Sequence, residues 1–142
     1  MIVFAKLDPE AKLPQYAHST DSGADLYASE DVDIRPGDYY PVKTGVKVCL
    51  PQGYEGQVRS KSGLAAKHGV HVLNSPGTID NGYRGEIFVI LINHGNQTFA
   101  VRKGDKVAQF IVSPYAQATF TQTESLPDSE RGEGRFGSTG RQ

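Results

Sequence analysis

Tryptophan is absent from this chain, methionine occurs only at Met1 and cysteine only at Cys49. A single cysteine excludes an internal disulfide and fits a reducing cytoplasm. Cys49 lies in the strand-like run Val46-Lys47-Val48-Cys49-Leu50, where a free thiol serves as a small packing residue. Net charge is nearly nil, with 15 Lys and Arg against 16 Asp and Glu. No global field therefore draws the chain to nucleic acid or to an anionic membrane, and a highly charged ligand must be met by a local cluster or a metal. No window reaches the length of a membrane span. The segment Met1–Leu7 has neither the basic start nor the small-residue cleavage site of a secretory leader, so it reads as a first strand. His18, His68, His71 and His94 show no zinc spacing, and no Ser or Cys has a recognisable base partner, which argues against a covalent nucleophile. Heptads and internal repeats are missing too.

What is present is punctuation. Pro36-Gly37-Asp38, Pro51-Gln52-Gly53, His94-Gly95-Asn96 and Lys103-Gly104-Asp105 separate short apolar runs. Turn signals roughly every 8–12 residues without helical periodicity predict one all-β domain, a sandwich or barrel. Strands are expected at Met1–Leu7, Ala24–Ala28, Val46–Leu50, from Gln57, at Val70–Leu73, Ile87–Ile92, Thr98–Val101 and Val107–Val112, and last at Ala118–Thr123. One short helical turn fits Leu64–His68 before Gly69. At about Ser125 the composition changes, which divides the chain into a β-domain over 1–124 and a flexible, glycine-rich tail over 125–142. Ordering such a tail costs about 1–2 kcal/mol per residue, and Phe136 alone cannot offset that without a ligand.

The stretch Asn74-Ser-Pro-Gly-Thr-Ile-Asp-Asn-Gly-Tyr-Arg-Gly-Glu86 joins two strand-like runs through two tight-turn dipeptides. It is a hairpin with an elaborated tip presenting Asp80 and Tyr83, suited either to holding a base against water or simply to closing its own turn. In the tail, Gly132-Glu-Gly-Arg-Phe-Gly-Ser-Thr139 has the Gly-x₄-Gly spacing of a phosphate loop without its lysine. Convergent backbone N–H groups, the Ser138 and Thr139 hydroxyls and the Arg131 and Arg135 cations suit phosphate, and Phe136 suits a nucleobase; a plain solubilising end is the alternative. Asp25, in Ser22-Gly-Ala-Asp-Leu26, is a metal carboxylate or a turn residue. Arg59 and Lys61 fall on one face of a strand ahead of a Ser-Gly corner. Gln109 interrupts an apolar run, so it faces water or a ligand.

In this order, Ser22–Leu26, Ser62-Gly-Leu-Ala65, Gly77–Gly85, Gly104-Asp-Lys-Val-Ala-Gln109 and Arg131–Gly140 resemble the five motifs of the trimeric dUTPases. The resemblance implies a jelly-roll-like β subunit, a homotrimer sharing its active sites, Mg²⁺ dependence, and hydrolysis of dUTP to dUMP and pyrophosphate. By position, Asp80 looks like the base for the attacking water. Asn74 and the Gly77-Thr78-Ile79 backbone look like the uracil-reading edge, and Tyr83 like the wall against the deoxyribose. Lys61, Ser62, Gly63 and Gln109 look like phosphate contacts. Phe136 looks like a lid on the base, with Arg131, Gly137, Ser138 and Thr139 over the outer phosphates. Asp25 looks like the Mg²⁺ carboxylate, directly or through water. Lys61 stands where the family has arginine, a point charge for a planar fork, for which Arg59 could compensate. Arg135 replaces a glycine. A dCTP deaminase on the same fold and a nucleotide-binding module without turnover are the alternatives.

Overall fold

The computed structural model describes residues 1–140. Its strands are β1 (Phe4–Leu7), β2 (Ala24–Tyr27), β3 (Val32–Ile34), β4 (Tyr39–Lys43), β5 (Val46–Cys49), β6 (Tyr54–Arg59), β7 (Val70–Val72), β8 (Gly77–Ile79), β9 (Phe88–Asn93), β10 (Phe99–Val101) and β11 (Lys106–Pro114). A single helix, α1 (Ser62–His68), fills the expected helical turn. Gly69 ends it in the left-handed region at φ +66°, where a Cβ would also meet the Gly95 nitrogen at 2.9 Å, so no other residue fits there.

The strands form antiparallel sheets in the orders β2-β11-β6-β8, β4-β9-β7, β1-β5 and β10-β3. The jelly-roll-like all-β architecture is as expected. Inward residues alternate along β9: Val89, Leu91 and Asn93 are buried and Ile90 and Ile92 are not. With Leu26, Val42, Val46, Val58, Val70, Val72, Val107 and Phe110 they fill one core between the sheets. Two buried polar side chains tie it across. Thr44 Oγ1 donates to the Ile87 carbonyl at 2.6 Å, and Asn93 Nδ2 donates to the Ile34 and Gln97 carbonyls at 2.8 Å each.

Three expectations change. β3 and β4 were not foreseen: β3 is only three residues long, and β4 carries Pro41, which is tolerated because β4 is a sheet edge. The hairpin is present as β7 against β9, but its tip departs, and β8 crosses to extend the other sheet beside β6. Ala118–Thr123 is not a strand; this segment is exposed, with Phe120 97 % accessible, because no strand edge of its own chain runs beside it.

Candidate active site

The functional candidates fall into two groups on the β2-β11-β6-β8 sheet. In the first, Asp25 on β2 is buried, 4 % exposed. Its Oδ1 accepts from Lys61 Nζ at 2.6 Å and its Oδ2 from Lys106 Nζ at 2.7 Å. Burial pushes the Asp25 carboxyl up, but the hydrogen bonds and charges of Lys106 and Lys61 outweigh it and hold the group below the usual aspartate range. The hydrogen bond to Asp25 in turn raises the Lys106 ammonium. Gln109 stands in register between Asp25 and Arg59, and a Cβ on Gly23 would come within 3.0 Å of it, so the small residue makes its place. Ser62 and Gly63 open α1, where a helix start leaves backbone N–H groups without intrahelical acceptors. One carboxylate, two ammonium groups, an amide and these donors form a net cationic patch suited to phosphate.

That patch does not fit a protein-held metal. Both Asp25 oxygens are committed to ammonium groups, and among the described residues no three His, Cys, Asp or Glu side chains gather as a metal site. Asp25 thus holds both ammonium groups in place, and contact through water is the way it would meet a cation. Contrary to the expectation from alternation, Arg59 does not lie beside Lys61 on a strand face. Its Nε and Nη2 donate to Gln57 Oε1 at 3.0 and 2.7 Å along its own strand, while the chain leaves the strand before Lys61.

Replacing Asp25 by Asn should lower stability at neutral pH, as hydrogen bonds from two partly exposed ammonium groups lose their acceptor charge. A carboxyl lowered on folding stabilises above its unfolded value and loses that contribution as pH falls through its folded value. The parent's advantage over the variant, measured as denaturant midpoints across pH, should therefore vanish on the acid side and persist at neutrality.

The second group is the hairpin tip. Gly77, Thr78 and Ile79 are pinned to Val58, Gln57 and Gly56 of β6. A Cβ on Gly77 would come within 3.2 Å of Asn74 Nδ2, so glycine lets that amide lie against the strand. The Asp80 backbone carbonyl accepts from Tyr83 N–H at 3.0 Å and closes the turn, which leaves its exposed carboxylate for other work. Tyr83 Oη donates to the Glu86 carbonyl at 2.8 Å, passing over Gly85, where a Cβ would meet that oxygen at 2.4 Å. Thr78, Ile79, Asp80, Tyr83, Glu86, Phe88 and Ile90 line a cavity of about 220 Å³.

Two residues escaped sequence reasoning. Lys106 does not stand out within its motif, since nothing local announces a partner far back at Asp25. Asn81 read as a turn former, yet its Nδ2 lies 2.7 Å from the Pro51, 3.0 Å from the Tyr54 and 3.3 Å from the Leu50 carbonyl, moorings that hold the tip in place. Asn81→Ala should lower stability by about 1–3 kcal/mol, read as a denaturant midpoint, and slow turnover through the loosened tip.

The two groups do not meet within one chain. Gln109 is level with Arg59, and Asp80, which follows the Ile79–Gly56 pair, is level with Glu55. Four residues of strand separate them, about 13 Å. The tail joins neither group. Arg131, Phe136, Gly137, Ser138 and Thr139 are exposed, and the Arg131 Nε bond to the Gly134 carbonyl at 3.2 Å is local.

The chain and its β frame are similar to known proteins. The dUTPase family model matches residues 9–140. The deoxyuridine 5'-triphosphate nucleotidohydrolase of Clostridium tetani is 52 % identical over 95 % of this chain and 93 % of its own. That of Clostridioides difficile is 53 % identical over 95 % and 94 %. Among solved structures, a mutant dUTPase of Staphylococcus bacteriophage 80alpha with dUpNHpp superposes with a TM-score of 0.90 at 28 % identity, covering 98 % of both chains. A mutant dUTPase of the S. aureus phage phi11, in which a structural Mg(II) ion is coordinated, has a TM-score of 0.82 at 25 % identity over 89 % of this chain and 99 % of that one. The chain belongs to the dUTPase family. Its activity is that of a dUTP diphosphatase.

Proposed function

We propose that this enzyme releases dUMP and pyrophosphate by attack of water on the α-phosphorus of dUTP, in active sites assembled from three copies of the chain. The observation that carries this reading is the separation of Asp80 from the phosphate patch, too wide for one carboxylate to hold water against a phosphorus gripped by Lys61 and Ser62 of the same chain. Two further features support a trimer. The outward face of β9, with Phe88 40 % exposed and Ile90 and Ile92 half-buried, continues an apolar run that only a covered face explains. Ala118–Thr123 carries Phe120 outward in search of a neighbouring edge.

In that site Asp80 of one copy takes the proton of the attacking water. The Gly77-Thr78-Ile79 backbone and Asn74 pair with uracil, and cytosine would leave these groups unpaired. Tyr83 crowds the deoxyribose. Lys61, Ser62, Gly63 and Gln109 of a second copy hold phosphate oxygens, with Lys61 and Lys106 aimed by Asp25. The tail of a third closes Phe136 over the base and Arg131, Gly137, Ser138 and Thr139 over the outer phosphates, expelling water. The Mg²⁺ requirement belongs to the substrate, whose triphosphate oxygens suit a hard cation that lowers their charge. The reaction keeps uracil out of DNA and supplies dUMP for thymidylate synthesis, in the reducing cytoplasm that the lone Cys49 fits.

Pyrophosphate release from dUTP and from the four ordinary deoxynucleoside triphosphates, with and without Mg²⁺, tests the chemistry. Release from dUTP alone, and only with Mg²⁺, is expected. Sharing of the site is tested by co-expressing Asp80→Asn chains with chains ending at Leu126. Each variant alone should be slow and the mixture much faster; a mixture as slow as its parts would place the site within one chain.

A further inference from the structure

Two imidazoles face each other at the base of the hairpin whose tip carries Asp80, apart from the residues assigned to dUTP. His71 on β7 pairs with Ile92, and His94 follows Asn93 at the end of β9, so the two side chains meet diagonally across the strands. His71 Nε2 and His94 Nδ1 are 3.0 Å apart. The ring centroids are 5.0 Å apart and the planes are tilted by 46°. His71 Nδ1 lies 3.1 Å from the Val72 carbonyl, which can only accept. The hydrogen of the neutral ring therefore sits on Nδ1, and Nε2 presents a lone pair.

The backbone beneath is held from several sides. Asn93, fully buried, accepts from Gly95 N–H at 2.9 Å through Oδ1, in addition to its two donations. His94 N–H donates to the Gly69 carbonyl at 2.9 Å. The turn carrying His94 is thus tied to β3 and to the end of α1.

We propose that His71 and His94 form a two-imidazole edge for a divalent transition-metal ion of tetragonal preference, Cu²⁺ or Ni²⁺, with water in the remaining positions. Imidazole nitrogens bind such ions at about 2.1 Å; two at a right angle stand about 3.0 Å apart and two at a tetrahedral angle about 3.4 Å. In the free protein the 3.0 Å between Nε2 and Nδ1 is spanned by a hydrogen bond, and it equals the right-angle spacing, so an ion would replace the shared proton without moving the rings apart. A ligating histidine whose other nitrogen donates to a backbone carbonyl has its tautomer held ready, as His71 does. On binding, the His94 proton moves from Nδ1 to Nε2 on its exposed side, and the freed lone pair turns with that of His71 onto the ion. Both rings stay neutral and no proton is released. Mg²⁺, which takes oxygen ligands, is not expected here.

The full-length protein, stripped with a chelator, is titrated with Cu²⁺ and with Ni²⁺ by calorimetry, and its Cu²⁺ form is examined by electron paramagnetic resonance. One ion per chain and a two-nitrogen hyperfine pattern are expected. His71→Gln and His94→Gln should each weaken binding at least about tenfold and lose that pattern. His18→Gln should change neither, and circular dichroism should show the variants folded, with Mg²⁺-supported dUTP turnover retained. Persistence of pattern and affinity in both hairpin variants, or uptake by the parent no stronger than by the double variant, overturns the assignment.

Discussion

Asp80→Asn should fold, keep its oligomeric state and bind dUTP, yet release pyrophosphate about 10²–10⁴-fold more slowly, the usual contribution of a positioned general base. The fold should be unaffected because the Asp80 backbone carbonyl, not its carboxylate, closes the turn to Tyr83, and because Asn81 moors the tip independently. Binding should survive because an exposed side chain that serves only the attacking water contributes little to the ground state. The signature is thus a fall in kcat with KM nearly constant. Single-turnover rates on the purified variant, beside its unfolding curve, provide the measurement. A variant that turns over as fast as its parent removes Asp80 from the chemistry.

Ending the chain at Leu126 should leave the β-domain intact and reduce kcat/KM by about 10²–10³-fold, the scale set by removing preorganised donors from a developing negative charge. Among the described residues none beyond Phe110 belongs to the buried core, and the tail makes only local turns there, so its removal uncovers no buried surface. Far-UV spectra and thermal midpoints should match the parent's. What would be lost, on the proposed reading, is a flap carrying Phe136 and a cation that the bound nucleotide orders. Melting of the β-domain on truncation would show that the segment is structural.

Much of this was legible because its causes are local. Gly69 at the end of α1, the glycines around Tyr83 and the alternation along β6 and β11 each follow from one residue's backbone freedom or from period-two burial. What stayed hidden involves partners far apart in the chain. Lys106 and Asp25, or Asn81 and the carbonyls of the β5–β6 loop, are brought together by strand pairings that no window of sequence contains. Ala118–Thr123 failed as a strand for the related reason that alternation shows a segment's readiness to pair but not the edge it pairs with.

By itself, the sequence determined an all-β chain and the order of its five motifs, because turn chemistry and hydrophobic period act over a few residues. Only the tertiary structure decided that Asp25 is taken up by two lysines and that the hairpin tip is offset about 13 Å along the strand from the cationic patch, at ~3.3 Å per strand residue. Those outcomes depend on which strands lie side by side, and that is settled by packing the whole core at once.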